Sequence, residues 1–276
     1  DATAMPEKIR GEVVFENVSF AYNPGTPVIR DLSLSIAPGQ RVAFVGATGA
    51  GKSSLINLLL RFYDVQEGRI LLDGVDIARA RQQDVRRHIG LVLQDPFIFT
   101  GTVTENIRLR DETIPMARVR DAARLVSADR FIERLPHDYD ARLVERGANL
   151  STGQKQLLAF ARSVAFDPEV MLVLDEATAN IDSETEAQIQ QSLDRLTERR
   201  TSIIIAHRLA TIRSADRIFV LHHGEIVEQG THEELIALRG RYFRLWLLQQ
   251  RDVPADAVAK SPSDGVDRLP GASHSV

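Results

Sequence analysis

The stretch Gly46-Ala-Thr-Gly-Ala-Gly51-Lys52-Ser53 decides how the rest of the chain reads. It matches the pattern G-x-x-x-x-G-K-[ST], follows the apolar run Arg41 to Val45, and leads into an apolar-periodic segment from Lys52 to about Arg61. Strand, glycine-rich turn and helix in that order are the context the pattern requires. With glycine near 7% of ordinary usage, a chance match arises in about one chain of this length per hundred. The glycines let the backbone curl so that successive N–H groups face inward as an anion nest, and the helix start adds the positive end of its dipole. Lys52 supplies a point charge for β- and γ-phosphates, and the Ser53 hydroxyl can ligate Mg²⁺. The expected phosphate-binding residues are therefore Gly46, Ala47, Thr48, Gly49, Ala50, Gly51, Lys52, Ser53 and Ser54.

Downstream, the continuous apolar run Met171 to Leu174 ends on Asp175-Glu176. Two carboxylates then stand at the C-terminal end of a buried strand, where open α/β sheets bind ligands. Asp175, nearest the sheet, would belong to the Mg²⁺ shell, and Glu176, one residue farther out, would polarise the water that attacks the γ-phosphate. Alone, such a pair reads as a solvated strand end; the glycine loop makes it a candidate site.

Around these two motifs the apolar pattern alternates between periods of two and about 3.6, as strands and helices alternate. Glu12 to Tyr22 and Val28 to Ile36 predict half-buried antiparallel strands separated by the turn residues Asn23 to Pro27. Arg69 to Ile77 and Leu91 to Leu93 read as further strands. From about Asp95 to Phe166 the pattern is mostly helical: Met116, Val119, Ala123 and Val126 share one face, and Leu157, Leu158, Ala161, Val164 and Ala165 another. Val170 to Leu174 and Thr201 to Ala206 predict two buried strands flanking a helix with inward residues Ile189, Leu193 and Leu196 and a capping box at Ser183 to Glu186. Strands at Arg217 to Leu221 and Glu225 to Glu228 and two short helices, one capped near Thr231 and one carrying Phe243, Leu245, Trp246 and Leu247, complete the pattern. The expected fold class is α/β: a core with a mixed central sheet, an N-terminal antiparallel β subdomain and an inserted α-helical subdomain.

Composition is that of an ordinary globular protein: 276 residues, 43% apolar, 26% charged, net charge −4. The acidic balance gives no global footprint for nucleic acid. Zero cysteines exclude disulfides, thiolate catalysis and thiolate metal sites. No apolar run approaches the roughly 18 residues of a membrane span. Residues 1–10 lack an initiator Met and any signal-peptide pattern, so the chain reads as a piece of a longer polypeptide. Residues 251–276 mix Pro, Ser, Ala, Gly and Asp without periodicity and read as a disordered tail. His88, His137, His222, His223, His232 and His274 are scattered without metal-ligand spacing, read as surface or loop residues, and do not predict zinc.

With Leu150-Ser151-Thr152-Gly153-Gln154 preceding the acidic strand, residues 11–250 resemble the nucleotide-binding domain of ATP-binding cassette transporters, whose signature is L-S-G-G-Q. The resemblance implies an ATPase that uses ATP and Mg²⁺ and works as a head-to-tail dimer, in which the signature residues Ser151, Gly153 and Gln154 of one copy close over nucleotide on the glycine loop of the other. It further implies that Tyr22 stacks on adenine, that Gln94 joins Asp175 and Ser53 around Mg²⁺, and that the loop Ala179 to Asp182 passes beside the partner's site. His207 would contact the γ-phosphate, so that Glu176, His207 and Lys52 form the catalytic set. Thr152 departs from the family glycine and bears on rate rather than on nucleotide binding. Without the resemblance, Tyr22 reads as strand packing, Gln94 as a loop amide, and Ser151 and Asp182 as helix N-caps.

Val144-Glu145-Arg146-Gly147 and the run Gln94 to Ile107 are similar to the multidrug and lipid exporter branch, including MdlB-like half-transporters that pair two different subunits. That implies a transmembrane domain in the same polypeptide, joined through residues 1–10, a second nucleotide-binding domain in a homodimer or heterodimer, and a place at the cytoplasmic face of the cell's inner membrane. The alternative is a soluble DNA-repair or chromosome-maintenance ATPase. Such proteins carry long coiled coils between glycine loop and signature, whereas the roughly one hundred residues between Lys52 and Ser151 hold no sustained heptads. A module that binds nucleotide without turnover is disfavoured by the presence of both Glu176 and His207.

Overall fold

The computed structural model describes residues 3–93, 96–175, 183–198, 200–206 and 212–250. Two strands open the chain, β1 (Val13–Phe20) and β2 (Ile29–Ile36), paired antiparallel with Val13 opposite Ile36 and Phe20 opposite Ile29. Alternation alone would carry the buried face from Val13 and Phe15 to Asn17 and Ser19. Instead the register shifts at Asn17, which takes a φ of 48°, and the buried side chains after Phe15 are Val18 and Phe20. The extra residue is a bulge that keeps apolar groups on the core side.

Next come β3 (Arg41–Val45), α1 (Lys52–Leu59), β4 (Glu67–Leu72), β5 (Val75–Asp76), α2 (Gln82–Arg87) and β6 (Ile89–Val92). The single strand expected from Arg69 to Ile77 is in fact a hairpin. Asp73 and Gly74, with φ of 48° and 79°, make the two-residue turn, and the Asp73 carboxylate accepts the Glu12 N–H at 2.7 Å. An Asp-Gly pair between apolar runs is the sequence signal for this turn. The strand expected at Leu91 to Leu93 lies two residues earlier, and Leu93 is exposed.

The helical stretch contains β7 (Gly101–Thr102), α3 (Val103–Arg108), α4 (Met116–Leu125), α5 (Asp129–Ile132), β8 (Arg142–Leu143) and α6 (Thr152–Phe166). A two-stranded ribbon of β7 and β8 was not foreseen. Between α1 and α6 the longest described helix is the 10-residue α4, so no coiled coil occurs there among the described residues. The chain ends with β9 (Val170–Asp175), α7 (Ser183–Thr197), β10 (Thr201–Ala206), β11 (Arg217–His222), β12 (Glu225–Gly230), α8 (His232–Leu238) and α9 (Arg241–Gln250). The cap expected at Thr231 is present: its hydroxyl accepts the Glu234 N–H while the Glu234 carboxylate accepts the Thr231 N–H. The box expected at Ser183 to Glu186 lies on side chains outside the described residues.

Two sheets result. The antiparallel one has the order β2-β1-β4-β5, and the central one β12-β11-β3-β10-β9-β6, parallel except for the edge strand β12. The central strands read as continuous apolar runs because both faces are covered. Val42, Phe44, Leu172, Ile203 and Ile205 enter one core with the β1–β2 residues and α1; Ala43, Val45, Val173 and Ile204 enter the other with α4, α6 and α7. Ile189, Leu193 and Leu196 are buried in the second core, as their spacing predicts. Met5 and Ile9 pack on the first core. Among the described residues no helix is long and apolar enough to cross a membrane. Of the histidines expected in surface or loop positions, His88 lies in a turn but is buried, its Nδ1 2.9 Å from the Glu169 carboxylate, and the half-buried His232 has its Nδ1 2.7 Å from the hydroxyl of the buried Tyr242.

Candidate functional site

The central sheet sets the site. β10 pairs in parallel with both β3 and β9, with Ile205 opposite Phe44 and Ala206 opposite Asp175, and β11 brings Val220 opposite Val45. The C-terminal ends of β3, β9 and β10 therefore stand level, with β11 running two residues beyond, and the chain leaves β3 there through the glycine loop.

Within that loop Gly46, Gly49 and Gly51 adopt φ of 154°, 80° and 107°. The Ala50 N–H donates to the Ala47 carbonyl at 3.1 Å, and the Gly224 N–H, in the β11–β12 turn, donates to the Ala50 carbonyl at 3.1 Å. Lys52 is buried, and its ammonium donates to the carbonyls of Gly46 at 2.6 Å and Ala47 at 3.0 Å, so the charge sits inside the loop's curl. α1 starts at Gly51 with no side-chain cap. The first N–H groups of a helix have no partner within it, which leaves them for an anion. The main-chain atoms of Ala47 and Ala50 bond within the loop, and the Ala50 methyl packs into the core.

A cavity of about 310 Å³ opens against this loop, lined by Thr48, Gly49, Gly51, Lys52 and Ser53 and also by Tyr22 and Val28. The Tyr22 ring is 44% exposed and meets Phe20 and Tyr63 edge-on, at centroid distances of 4.8 and 5.0 Å. Its hydroxyl donates to the buried Ser54 Oγ at 3.1 Å and accepts from Asn57 Nδ2 at 3.2 Å. Ser54, expected at the phosphates, thus also ties the aromatic wall to α1. Sequence reasoning missed Asn57 and Tyr63; their only signal is distance from the loop along a helix and its exit.

Ser151 stands at the N-cap of α6. Its hydroxyl accepts the Gln154 N–H at 3.2 Å and the Gln154 side-chain oxygen accepts the Ser151 N–H at 2.9 Å. Thr152 is exposed and is not among the residues with positive φ, so a side chain at this position imposes no backbone strain. Just upstream, Glu145–Gly147 form a 3₁₀ turn, and Gly147 (φ 59°) packs against Ile98, where a Cβ would come within 3.1 Å of that side chain. Arg162 of α6 reaches the same segment, donating to the carbonyls of Phe97 and Asn106 at 3.1 and 2.9 Å. Burial brings its guanidinium down to about 10, still charged at neutral pH. The segment it holds exposes Phe97 and Phe99, rings 4.8 Å apart, beside a cavity of about 660 Å³.

Asp175 closes β9, but its side chain, together with Gln94, Glu176, Ala179 to Asp182 and His207, lies outside the described residues. The backbone fixes only that the chain enters Glu176 and His207 directly from the paired residues Asp175 and Ala206.

A glycine loop that opens a helix at the C-terminal edge of a mainly parallel sheet, with a lysine turned into it, defines a P-loop nucleotide-binding protein. The profile of the ABC transporter family matches residues 29–179, and the chain belongs to that family. It is similar to the fatty acid ABC transporter ATP-binding/permease protein of Mycobacterium tuberculosis, 50% identical over 237 residues, covering 86% of this chain and 37% of that protein. It is likewise similar to the uncharacterized ABC transporter ATP-binding protein YfiC of Bacillus subtilis, 49% identical over 236 residues, covering 86% of this chain and 39% of that protein. Among solved structures, a bacterial Atm1-family ABC exporter with ATP bound superposes with a TM-score of 0.84 at 40% identity, covering 92% of this chain and 44% of that one. The chain spans about two fifths of the length of the curated relatives it matches, 36 to 43%. It is an ABC transporter ATP-binding domain of the exporter type, and domains of this kind bind ATP and are ATPases.

Proposed function

We propose that this chain is the ATP-hydrolysing part of an ABC exporter, working at the cytoplasmic face of a membrane. The observation that carries it is the Lys52 ammonium held inside the glycine loop against a cavity that Tyr22 also lines. In this reading the loop N–H groups between Gly46 and Ser54, apart from that of Ala50, and the Lys52 charge take the triphosphate, and Tyr22 takes adenine. Mg²⁺ fits the hard oxygen donors assigned to it, the Ser53 hydroxyl, the Asp175 carboxylate and the Gln94 amide oxygen, and when bound would neutralise charge on the β- and γ-phosphates.

A second domain, identical or related, presents Ser151, Gly153 and Gln154 head to tail. The Ser151 hydroxyl already accepts a hydrogen bond from Gln154, so its own proton is left to donate to a phosphate oxygen. Closure excludes bulk water, Glu176 takes a proton from the attacking water, and His207 holds the γ-phosphate as its bond to the ADP oxygen breaks. ADP and phosphate leave, and the pair separates. Residues 11–250 make up the domain, with 95–166 its helical part, 1–10 the link to a transmembrane domain of the same polypeptide and 251–276 a tail. The exposed Phe97 and Phe99 support docking of that membrane part beside the helical one, and so do relatives named as ATP-binding/permease proteins.

The loop reading is tested by Lys52→Ala. Removing a charge-assisted donor from the triphosphate is expected to weaken ATP about 10- to 100-fold in a calorimetric titration. An unchanged affinity would take Lys52 out of its role.

A further inference from the structure

β1 ends at Phe20, and the main chain must leave the sheet at Ala21 for Tyr22 to turn its ring toward the cavity. A residue at such an exit loses its ladder partners, and its N–H and C=O turn to side chains or water. Gln66, the residue before β4, serves both groups. The Ala21 N–H donates to Gln66 Oε1 at 2.7 Å, and Gln66 Nε2 donates to the Ala21 carbonyl at 2.8 Å. The Gln66 main-chain N–H donates to the Ser19 carbonyl at 3.2 Å, so the amide side chain extends the β1–β4 pairing by one rung. Only one orientation of the amide satisfies both groups, because a flip would set donor against donor and acceptor against acceptor.

We infer that Gln66 is a positioning residue for base recognition: by pinning Ala21 at both its polar groups, it fixes the direction in which Tyr22 presents its ring to the nucleotide. The inference rests on Tyr22 being the base platform, as proposed above. With the Tyr22 hydroxyl tied to Ser54 and Asn57, and Phe20 and Tyr63 against the ring's neighbourhood, the contact left for a ligand is the exposed part of the ring. A ring held in place before binding needs no ordering when the base arrives, and pre-organisation of this kind raises affinity. Gln66 itself touches no nucleotide in this arrangement, and its effect is confined to ligands that have a base.

The test compares ATP with inorganic tripolyphosphate, which has the phosphates and no base, by isothermal titration of the native chain and its variants. Gln66→Ala, and Gln66→Met, which keeps the bulk and removes the amide, are each expected to weaken ATP about 3- to 10-fold. Tripolyphosphate should stay within about twofold, since the glycine loop is a separate contact. Tyr22→Ala should weaken ATP about 5- to 100-fold, the range of base–aromatic stacking. Adding Gln66→Ala to Tyr22→Ala should then change nothing further, because the two act through one ring. Undiminished ATP affinity in both Gln66 variants, equal losses for ATP and tripolyphosphate, or fully additive losses in the double variant would each overturn the assignment. Failure of the readings beneath it is separately visible. A native chain that binds ATP no better than tripolyphosphate removes the Tyr22 platform and Gln66 with it, and one that binds neither removes the glycine-loop reading itself.

Discussion

Glu176→Gln is expected to bind ATP as the native chain does and to hydrolyse it about 10²- to 10⁴-fold more slowly, the range for loss of a general base. β9 and β10 run side by side with Asp175 level with Ala206, and the strand carrying the glycine loop is the next neighbour. The residues that follow these strand ends enter the edge of the sheet where the phosphates are proposed to lie. Glutamine keeps the shape of glutamate and its hydrogen-bonding reach but cannot take up a proton at neutral pH. Binding and turnover should therefore separate. With hydrolysis blocked, the nucleotide-closed pair should accumulate, and sedimentation with ATP should show a dimer where the nucleotide-free variant is monomeric. Turnover within about tenfold of native would remove Glu176 as the base. A variant that stays monomeric with ATP at high concentration would count against the head-to-tail arrangement.

The second large effect is on the loop itself. Gly46 has a φ of 154°, which L side chains rarely adopt, and an added Cβ would overlap the Leu221 carbonyl oxygen of β11 and come within 3.2 Å of the Ala50 methyl. Neither neighbour can give way cheaply, since one is main chain in the central sheet and the other is packed in the core. Gly46→Ala is expected to lower stability by about 2 to 4 kcal/mol, combining backbone strain with overpacking, and to lower the melting temperature by about 5 to 15 °C. ATP affinity should fall at least as far as in Lys52→Ala, because the Gly46 carbonyl is one of the two that hold the lysine. Gly49→Ala is the control. Gly49 has a φ of 80° but nothing within 4 Å of an added Cβ, so its cost is strain alone, about 1 kcal/mol. Equal melting temperatures for the two variants would show that the Leu221 contact does not constrain the loop.

Much of the sheet was legible because its strands are buried on both faces. Arg41–Val45, Val170–Asp175 and Thr201–Ala206 form where continuous apolar runs predict them. The glycine loop was legible because its chemistry demands adjacent residues at fixed spacing. Other features depend on partners far along the chain. The bulge at Asn17 is visible only against both neighbouring strands; the Asp73-Gly74 hairpin, by contrast, is local and its Asp-Gly signal was overlooked within an apolar run. His88 looks like any loop histidine until Glu169, 81 positions away, is placed beside it. Gln66 and Asn57 carry no motif, and their importance follows from where Ala21 and the Tyr22 hydroxyl end up.

One further consequence comes from the division of the core by the central sheet. α1, proposed to receive the phosphates, packs on one face through Leu55, Ile56, Leu58 and Leu59; α6, whose tip bears Ser151, packs on the other through Leu157, Leu158 and Phe160. A wall of strands stands between the two, and in the proposed head-to-tail pair each molecule therefore draws the second half of its pocket from the other. On that arrangement the activity per molecule of the isolated chain in dilute solution is expected to rise with its concentration, as for any encounter between two bodies. Tethering two copies by a flexible linker long enough to span the pair would make that dependence vanish.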